Sequence, residues 1–325
     1  NYDEYSVDIT VDITAPQINV TLNPCYNISG KMITHGNVTI IVNSSDNYGV
    51  EKVYVWLNVT LICLTEASDF SLILDTTEIY NMQEDLCILT IKAVDLAGNK
   101  VTETIELYVD NAPPRLNIRV ESAKIFDSCW YQNSSNVTIA WSTTDISMVT
   151  YVLTVRNDTW NKTFMLNDSS IILTLSPSKY TIELKGIDYF GQEAISSALL
   201  VVDMSEPTID VLRPGNNTLI FSTKVTVEWK ISDDYGVQDC YIKIDDQEWI
   251  PINAEGTHTF ENLTYGKHII YTKATDYAGN MKTVMIIINV GRTFEIIIGV
   301  SVAIVAIAII VFYLMRKRKV SLGSS

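Results

Sequence analysis

One strand pattern recurs three times along the chain at a spacing of roughly 90 to 100 residues, and this repetition restricts the fold more than any other feature. Its first marker reads VTIIVNSSD (38–46), VTIAWSTTD (137–145) and VTVEWKISD (225–233). Val38/Ile40/Val42, Val137/Ile139/Trp141 and Val225/Val227/Trp229 alternate with mostly polar neighbours, the period-2 signature of a strand with one buried face. A second marker reads IKAVDLAGN (91–99), LKGIDYFGQ (184–192) and TKATDYAGN (272–280), each a strand running into an Asp and a Gly-containing turn. Such an Asp folds its carboxylate onto backbone N–H groups two residues on while Gly supplies a positive φ, so a hairpin is expected there. Upstream of that turn, Cys87, Tyr180 and His268 share one inward register. The third marker is the junction, VDITAPQ (11–17), VDNAPPR (109–115) and VDMSEPT (202–208), in which Pro16, Pro114 and Pro207 align; a residue without a donor suits the entry to an edge strand.

A unit of this size with short alternating strands predicts a two-sheet sandwich. In the third copy the strands are expected at 208–212, 225–232, 237–244, 249–253, 257–262, 267–276 and 282–290. Repeats are therefore expected at 13–110, 111–203 and 204–290, with residues 1–12 as the last strand of an earlier, truncated repeat. The second copy diverges most, with ISM (146–148) where the others keep NYGV or DYGV, and Gln192 where they keep Asn.

SDNYGV or SDDYGV after the first marker strand, A-x-D-x-A-G-N at the turn, and V-D-x-x-x-P at the junction together resemble tandem bacterial-type immunoglobulin-like repeats of prokaryotic cell-surface proteins, over about residues 11–290. The resemblance implies immunoglobulin-like seven-stranded β-sandwiches and a role as adhesin, stalk or cell-envelope spacer. Cadherins are similar more distantly, through VDNAPP and A-x-D-x-x-G, but their calcium-binding D-R-E segment is missing. Three sandwiches in an immunoglobulin topology gather the first marker's Asp, the turn Asp and the incoming linker at one pole. That brings together Asp12, Asp46 and Asp95; Asp110, Asp145 and Asp188; and Asp203, Asp233, Asp234 and Asp276. Hard oxygen ligands converging at a hinge suit Ca²⁺, which would cancel the repulsion of like charges; the alternative is that each Asp only caps its own turn. The inward register of Cys87 points it at the opposite sheet, where the end of the first strand would bring Cys25, so a Cys25–Cys87 disulfide is expected.

The only long uncharged apolar run, 296–315, has 20 residues, and a helix of that length, at about 1.5 Å per residue, spans the roughly 30 Å bilayer core. All 38 acidic residues precede it, whereas Arg316–Lys319 follow it directly. The fold class read in this way is all-β, three tandem sandwiches followed by one C-terminal transmembrane helix. Retention of positive charge inside the cell puts 1–295 outside, joined by a 291–295 linker, and leaves 316–325 as a cytoplasmic tail. The expected localisation is a single-pass cell membrane protein, with the lipid bilayer as a partner. The acidic balance makes nucleic acid an unlikely partner and leaves an extracellular protein or glycan.

N-x-S/T acceptors stand at Asn19, Asn27, Asn37, Asn43, Asn58, Asn133, Asn136, Asn157, Asn161, Asn167, Asn216 and Asn262, an excess that points to a glycosylated exterior and an archaeal source. The five cysteines show no C-x-x-C spacing, and His35, His258 and His268 form no triad or zinc pattern. No phosphate loop, dinucleotide fingerprint or nucleophile elbow is present. The function expected is therefore a glycosylated, membrane-anchored stalk or adhesin acting as spacer and binding surface rather than catalyst, with Ca²⁺ as the one possible cofactor. The alternative is the membrane-proximal stalk of a larger surface enzyme or S-layer-like protein with an upstream head.

Overall fold

A computed structural model describes residues 7–78, 84–292 and 304–312. Each copy of the repeat folds as two packed sheets, one antiparallel and one mixed. In the first copy, β1 (Gln17–Asn23), β4 (Asn37–Ser45) and β7 (Asp69–Asp75) form one sheet in the order β1-β4-β7. The other contains β2 (Tyr26–Ile28), β3 (Lys31–Thr34), β5 (Val50–Leu57), β6 (Thr60–Thr65), β8 (Glu84–Asp95) and β9 (Lys100–Asp110), ordered β2-β3-β9-β8-β5-β6. This is the immunoglobulin-like arrangement of sandwich sheets.

The middle copy repeats it with β10 (Arg115–Val120), β11 (Lys124–Phe126), β12 (Cys129–Gln132), β13 (Asn136–Thr144), β14 (Thr150–Arg156), β15 (Asn161–Leu166), β16 (Ser170–Thr174), β17 (Ser178–Ile187) and β18 (Glu193–Val202). Its sheets run β10-β13-β16 and β11-β12-β18-β17-β14-β15. The third has β19 (Thr208–Arg213), β20 (Thr218–Ile220), β21 (Val225–Ser232), β22 (Val237–Ile244), β23 (Ile250–Ile252), β24 (Glu255–Phe260), β25 (Gly266–Asp276) and β26 (Met281–Val290), in sheets β19-β21-β24 and β20-β26-β25-β22-β23. The contacts divide the chain into two compact units, one of Asn1–Arg119, Thr138–Ile171 and Thr181–Ala198, the other of Val120–Val137, Ile172–Tyr180 and Leu199–Ser325.

The core follows the marker registers. Val38, Ile40 and Val42 on β4 are fully buried, as are Val137 and Ile139 on β13 and Val227 on β21, with Trp141 and Trp229 closing the same positions. Each such apolar side chain removed from water contributes about 1.5–3 kcal/mol. Opposite them, Cys87, Leu89, Ile91 and Ala93 on β8 face inward, and Ile182 and Leu184 on β17 and Ile270 and Ala274 on β25 repeat the register. The junction prolines Pro16, Pro114 and Pro207 are buried and each stands one residue before its strand.

Three differences from the sequence reading stand out. Seven strands per repeat become nine, nine and eight, because the first strand breaks and its remainder crosses to the other sheet, pairing parallel with the last strand (Thr34 with Val109, Gln132 with Val202, Ile220 with Val290). Residues 7–16 carry no strand, and Val7, Ile9, Val11 and Ile13 are exposed. The expected transmembrane helix over 296–315 is not supported: among the described residues no helix is long and apolar enough to cross a membrane. Only 304–312 is described there as helical, nine residues that rise about 13 Å at 1.5 Å each, less than half the bilayer core. The rest of the run and the basic tail lie outside the described residues, so single-pass membrane localisation and a bilayer partner lose their support.

Candidate metal centres at the repeat poles

Strands β8, β17 and β25 each end on an inward position occupied by Asp95, Asp188 and Asp276, buried to 0, 5 and 0% exposure. Asp188 follows directly on the last residue of its strand. The adjoining turn closes on the same side chain: Asp95 Oδ1 accepts from Ala97 N (2.9 Å) and Asn99 N (2.8 Å), Asp188 Oδ1 from Phe190 N (2.9 Å) and Gln192 N (2.7 Å), and Asp276 Oδ1 from Gly279 N (2.6 Å) and Asn280 N (2.9 Å). Gly98, Gly191 and Gly279 take the positive φ that the turn requires.

The loop after the first marker strand contributes a second carboxylate by the same device. Asp46 Oδ1 accepts from Tyr48 N, Asp145 Oδ1 from Ser147 N and Asp233 Oδ1 from Tyr235 N, at 2.7–2.9 Å. In the linker, Asp12 Oδ1 takes Thr14 N at 3.0 Å, and Asp203 Oδ1 takes Ser205 N at 3.0 Å and its hydroxyl at 2.6 Å.

These turns commit Oδ1 of Asp12, Asp46, Asp95, Asp145, Asp188, Asp203, Asp233 and Asp276. In each of three groups, Asp12/Asp46/Asp95, Asp110/Asp145/Asp188 and Asp203/Asp233/Asp276, one oxygen per residue lies within 4.8 Å of the others. With Ca²⁺–oxygen distances of about 2.3–2.6 Å, two oxygens on one ion lie at most about 5 Å apart, so this spacing is compatible with a shared ion. The second oxygens of Asp12, Asp145 and Asp203 are buried without a hydrogen-bond partner, although Asp203 is only 1% exposed. A buried carboxylate oxygen left unpaired beside two other carboxylates is costly, and a cation removes that cost. Burial raises the Asp145 carboxyl above its ordinary value, and the Asp188 charge adds to this. Asp233 is raised by burial and then by the Asp203 and Asp276 charges. At Asp95 burial pushes the same way, but hydrogen bonds from Asn99, Gly98 and Ala97 outweigh it and leave the group low.

Nine of the ten acidic residues expected at these poles are thus brought together; Asp234 is exposed and belongs to none of the groups. The turn-cap reading accounts for Oδ1 of these side chains, and Oδ2 of Asp12, Asp145 and Asp203 is left without a hydrogen-bond partner. The sequence reading missed the amide that closes each site. Asn99 Nδ2 donates to Asp95 Oδ2 (2.9 Å) and to the linker carbonyl of Asp12 (3.2 Å), and Asn280 Nδ2 to Asp276 Oδ2 (2.9 Å) and Asp203 O (2.9 Å). Gln192 Nε2 makes the same pair of bonds to Asp188 Oδ2 (2.8 Å) and Asp110 O (3.3 Å). The signal was the amide at the last position of the second marker. After β26 the position corresponding to Asp110 and Asp203 is Gly291, which supplies no carboxylate.

Two poles carry an aromatic clasp beside the carboxylates. Phe190 stacks on His35 (5.2 Å, 18°) and meets Tyr26 edge-on (5.8 Å), while His35 Nδ1 lies 2.8 Å from the Asp110 carbonyl. In the other unit Tyr277 stacks on Phe126 at 4.0 Å and contacts Tyr131.

The other expected sites stand as follows. Among the described residues Cys25, Cys63, Cys87, Cys129 and Cys240 form no disulfide, so the expected Cys25–Cys87 bridge is absent. Of the twelve sequon asparagines all are exposed except Asn157, which is half-buried. Tyr180 donates its hydroxyl to Ser176 O (2.9 Å), a tyrosine corner, and His268 reaches the carbonyl four residues back in the same way, its Nε2 2.7 Å from Thr264 O and its Nδ1 2.7 Å from Asp245 Oδ2.

No family model matches the chain, and no curated protein matches it. Among solved structures, three N-terminal domains of the outer capsid protein Hoc of bacteriophage RB49 are 11% identical, cover 86% of this chain and 100% of that one, and give a TM-score of 0.42. A bacterial ice-binding adhesin segment of a 1.5-MDa protein is 13% identical, with coverage of 86% and 100% and a TM-score of 0.36. A tetra-tandem repeat from the extending region of a large adhesion protein is 18% identical, with coverage of 87% and 76% and a TM-score of 0.33. Likenesses this distant say nothing of partners or activity.

Proposed function

We propose that the chain is a non-catalytic spacer of adhesin type, made of immunoglobulin-like repeats at 13–110, 111–203 and 204–290 whose poles are stiffened by Ca²⁺, and that its sequon asparagines are glycan acceptors. The observation that carries the reading is the Asp203 side chain, 1% exposed, with one oxygen unpaired and a carboxylate oxygen within 4.8 Å of one each from Asp233 and Asp276. The donors are hard oxygens without nitrogen or sulfur, which suits Ca²⁺ over a transition metal. Filling such a site ties a linker carboxylate to two loop carboxylates of the following repeat, so the ion's contribution falls on the joint. The test is a Ca²⁺ titration of the full chain followed by its melting midpoint, because a ligand bound only to the folded form raises it. Millimolar Ca²⁺ is expected to raise the midpoint and a chelator to reverse the rise. An unchanged midpoint sinks the metal reading.

A further inference from the structure

The outward face of the β22/β25 pair in the third repeat carries a pattern that neither the poles nor the core needs. Tyr241 lies opposite Lys273 and Lys243 opposite Tyr271 in the antiparallel register, so cations and rings alternate like a checkerboard. Trp249, from the segment leading into β23, enters the middle of it. The Lys273 ammonium sits 4.6 Å from the Trp249 ring centre and 5.0 Å from that of Tyr241; the Lys243 ammonium is 5.1 Å from both Trp249 and Tyr271. Trp249 also meets Tyr271 edge-on at 6.5 Å. Neither lysine forms an ion pair among the described residues, in a chain of net charge −15. All five side chains are half-buried against one another, which holds them in place before anything binds. Met285, paired with Tyr271 across to β26, extends the apolar surface at 62% exposure.

The first repeat has a smaller version at the same register. Tyr54 lies opposite Lys92, whose ammonium is 5.7 Å from the ring, and Tyr54 and Trp56 stack at 5.3 Å and 6°. Two faces of one chemistry on one chain suit a ligand whose recognition unit recurs. Aromatic rings offer flat apolar surface, and two unpaired ammoniums at diagonal positions, about 7–8 Å apart at their strands, select negative charge.

We infer that the Tyr241–Lys243–Trp249–Tyr271–Lys273 face binds a linear anionic polysaccharide, the rings taking the sugar faces and the lysines the carboxylates. This goes beyond the spacer reading and does not depend on calcium at the poles. The experiment titrates the full chain with polygalacturonate and with neutral dextran, following tryptophan fluorescence and heat, with and without chelator. Polygalacturonate is expected to bind and dextran at least tenfold more weakly. Lys243→Gln/Lys273→Gln is expected to weaken polygalacturonate at least tenfold and to flatten its salt dependence. Trp249→Ala is expected to weaken it similarly, and Trp249→Phe, which preserves the packing, to restore most of the loss. Lys230→Gln, an exposed lysine on the other sheet, controls for charge alone and is expected to change little. Equal binding by the double-lysine variant, an equal loss in Lys230→Gln, or no binding at all overturns the proposal. So does a Trp249-dependent dimer in sedimentation, or tighter binding of poly-glutamate than of polygalacturonate, since the occupant is then a second copy or an acidic protein. Loss of the calcium shift with polygalacturonate binding intact would leave this face standing and remove only the pole reading.

Discussion

Asp203→Asn separates a turn-capping role from a cation-binding one because it alters only the oxygen that the turn does not use. The amide keeps an acceptor for Ser205 N and Oγ, now at 3.0 and 2.6 Å, and replaces the buried unpaired oxygen by a donor beside Asp233 and Asp276. Two unit charges 4.8 Å apart repel by about 3.5 kcal/mol at an effective dielectric of ~20. Water at the half-exposed Asp233 and added salt reduce the relief to about 1–2 kcal/mol. At about 4–8 °C per kcal/mol for a domain of this size, the third repeat of the variant is expected to melt higher than wild type in chelator, by roughly 4–16 °C. In calcium that lead closes. Wild type at a hundred times its Kd gains about 2.7 kcal/mol, and a variant that binds tenfold more weakly gains only about 1.4 kcal/mol, so wild type recovers about 1.3 kcal/mol of the difference. Calorimetry of the full chain in chelator and in millimolar calcium reads both differences at once. If the variant melts below wild type by the same amount in both buffers, the carboxylate is a turn cap and nothing more.

Burial lowers the His268 pKa, but the hydrogen bonds to Asp245 and Thr264 outweigh it and leave the net shift upward. A group raised on folding stabilises fully below its unfolded pKa and loses that contribution as pH rises through the folded one. The third repeat should therefore lose stability above about pH 6.5 in a way that His268→Gln does not, and superimposable melting profiles for the two would refute this. Tyr180→Phe removes the hydroxyl that donates to Ser176 O and should cost about 1 kcal/mol by chemical denaturation; a loss below the error of the fit would show the corner to be idle. Phe190→Ala strips the stacking on His35 and the edge contact with Tyr26, for about 1–3 kcal/mol beyond lost burial, and a cycle with His35→Ala should show coupling. At Gly236, φ is +107° and an added Cβ would stand 2.6 Å from the Tyr277 ring, so Gly236→Ala should displace that ring from Phe126 and change the near-ultraviolet dichroism.

Much of this was legible in the sequence because period-2 burial is a local property. Val38/Ile40/Val42 and their two counterparts needed only alternation, and the carboxylate groups followed from counting register to the last inward position of β8 and β25. The hairpin of β2 and β3 was not legible: three- and four-residue strands after a break carry too little pattern, and their partner, β9, lies more than 70 residues away. Gln192 read as divergence because residue identity was compared, whereas the structure uses reach, and a longer side chain bridges the same two oxygens. The apolar run at 296–315 satisfied hydropathy, yet among the described residues no helix is long and apolar enough to cross a membrane.

Gly291, standing where Asp110 and Asp203 stand in the other two copies, gives the series a sense of direction. Each carboxylate triad takes its first member from the segment that enters a repeat and the other two from loops of that repeat. A gene engineer shuffling these cassettes could place either of the first two upstream of any neighbour and keep three carboxylates together. With the third placed upstream, the two loop carboxylates would meet a glycine, and their mutual repulsion would lose its third partner.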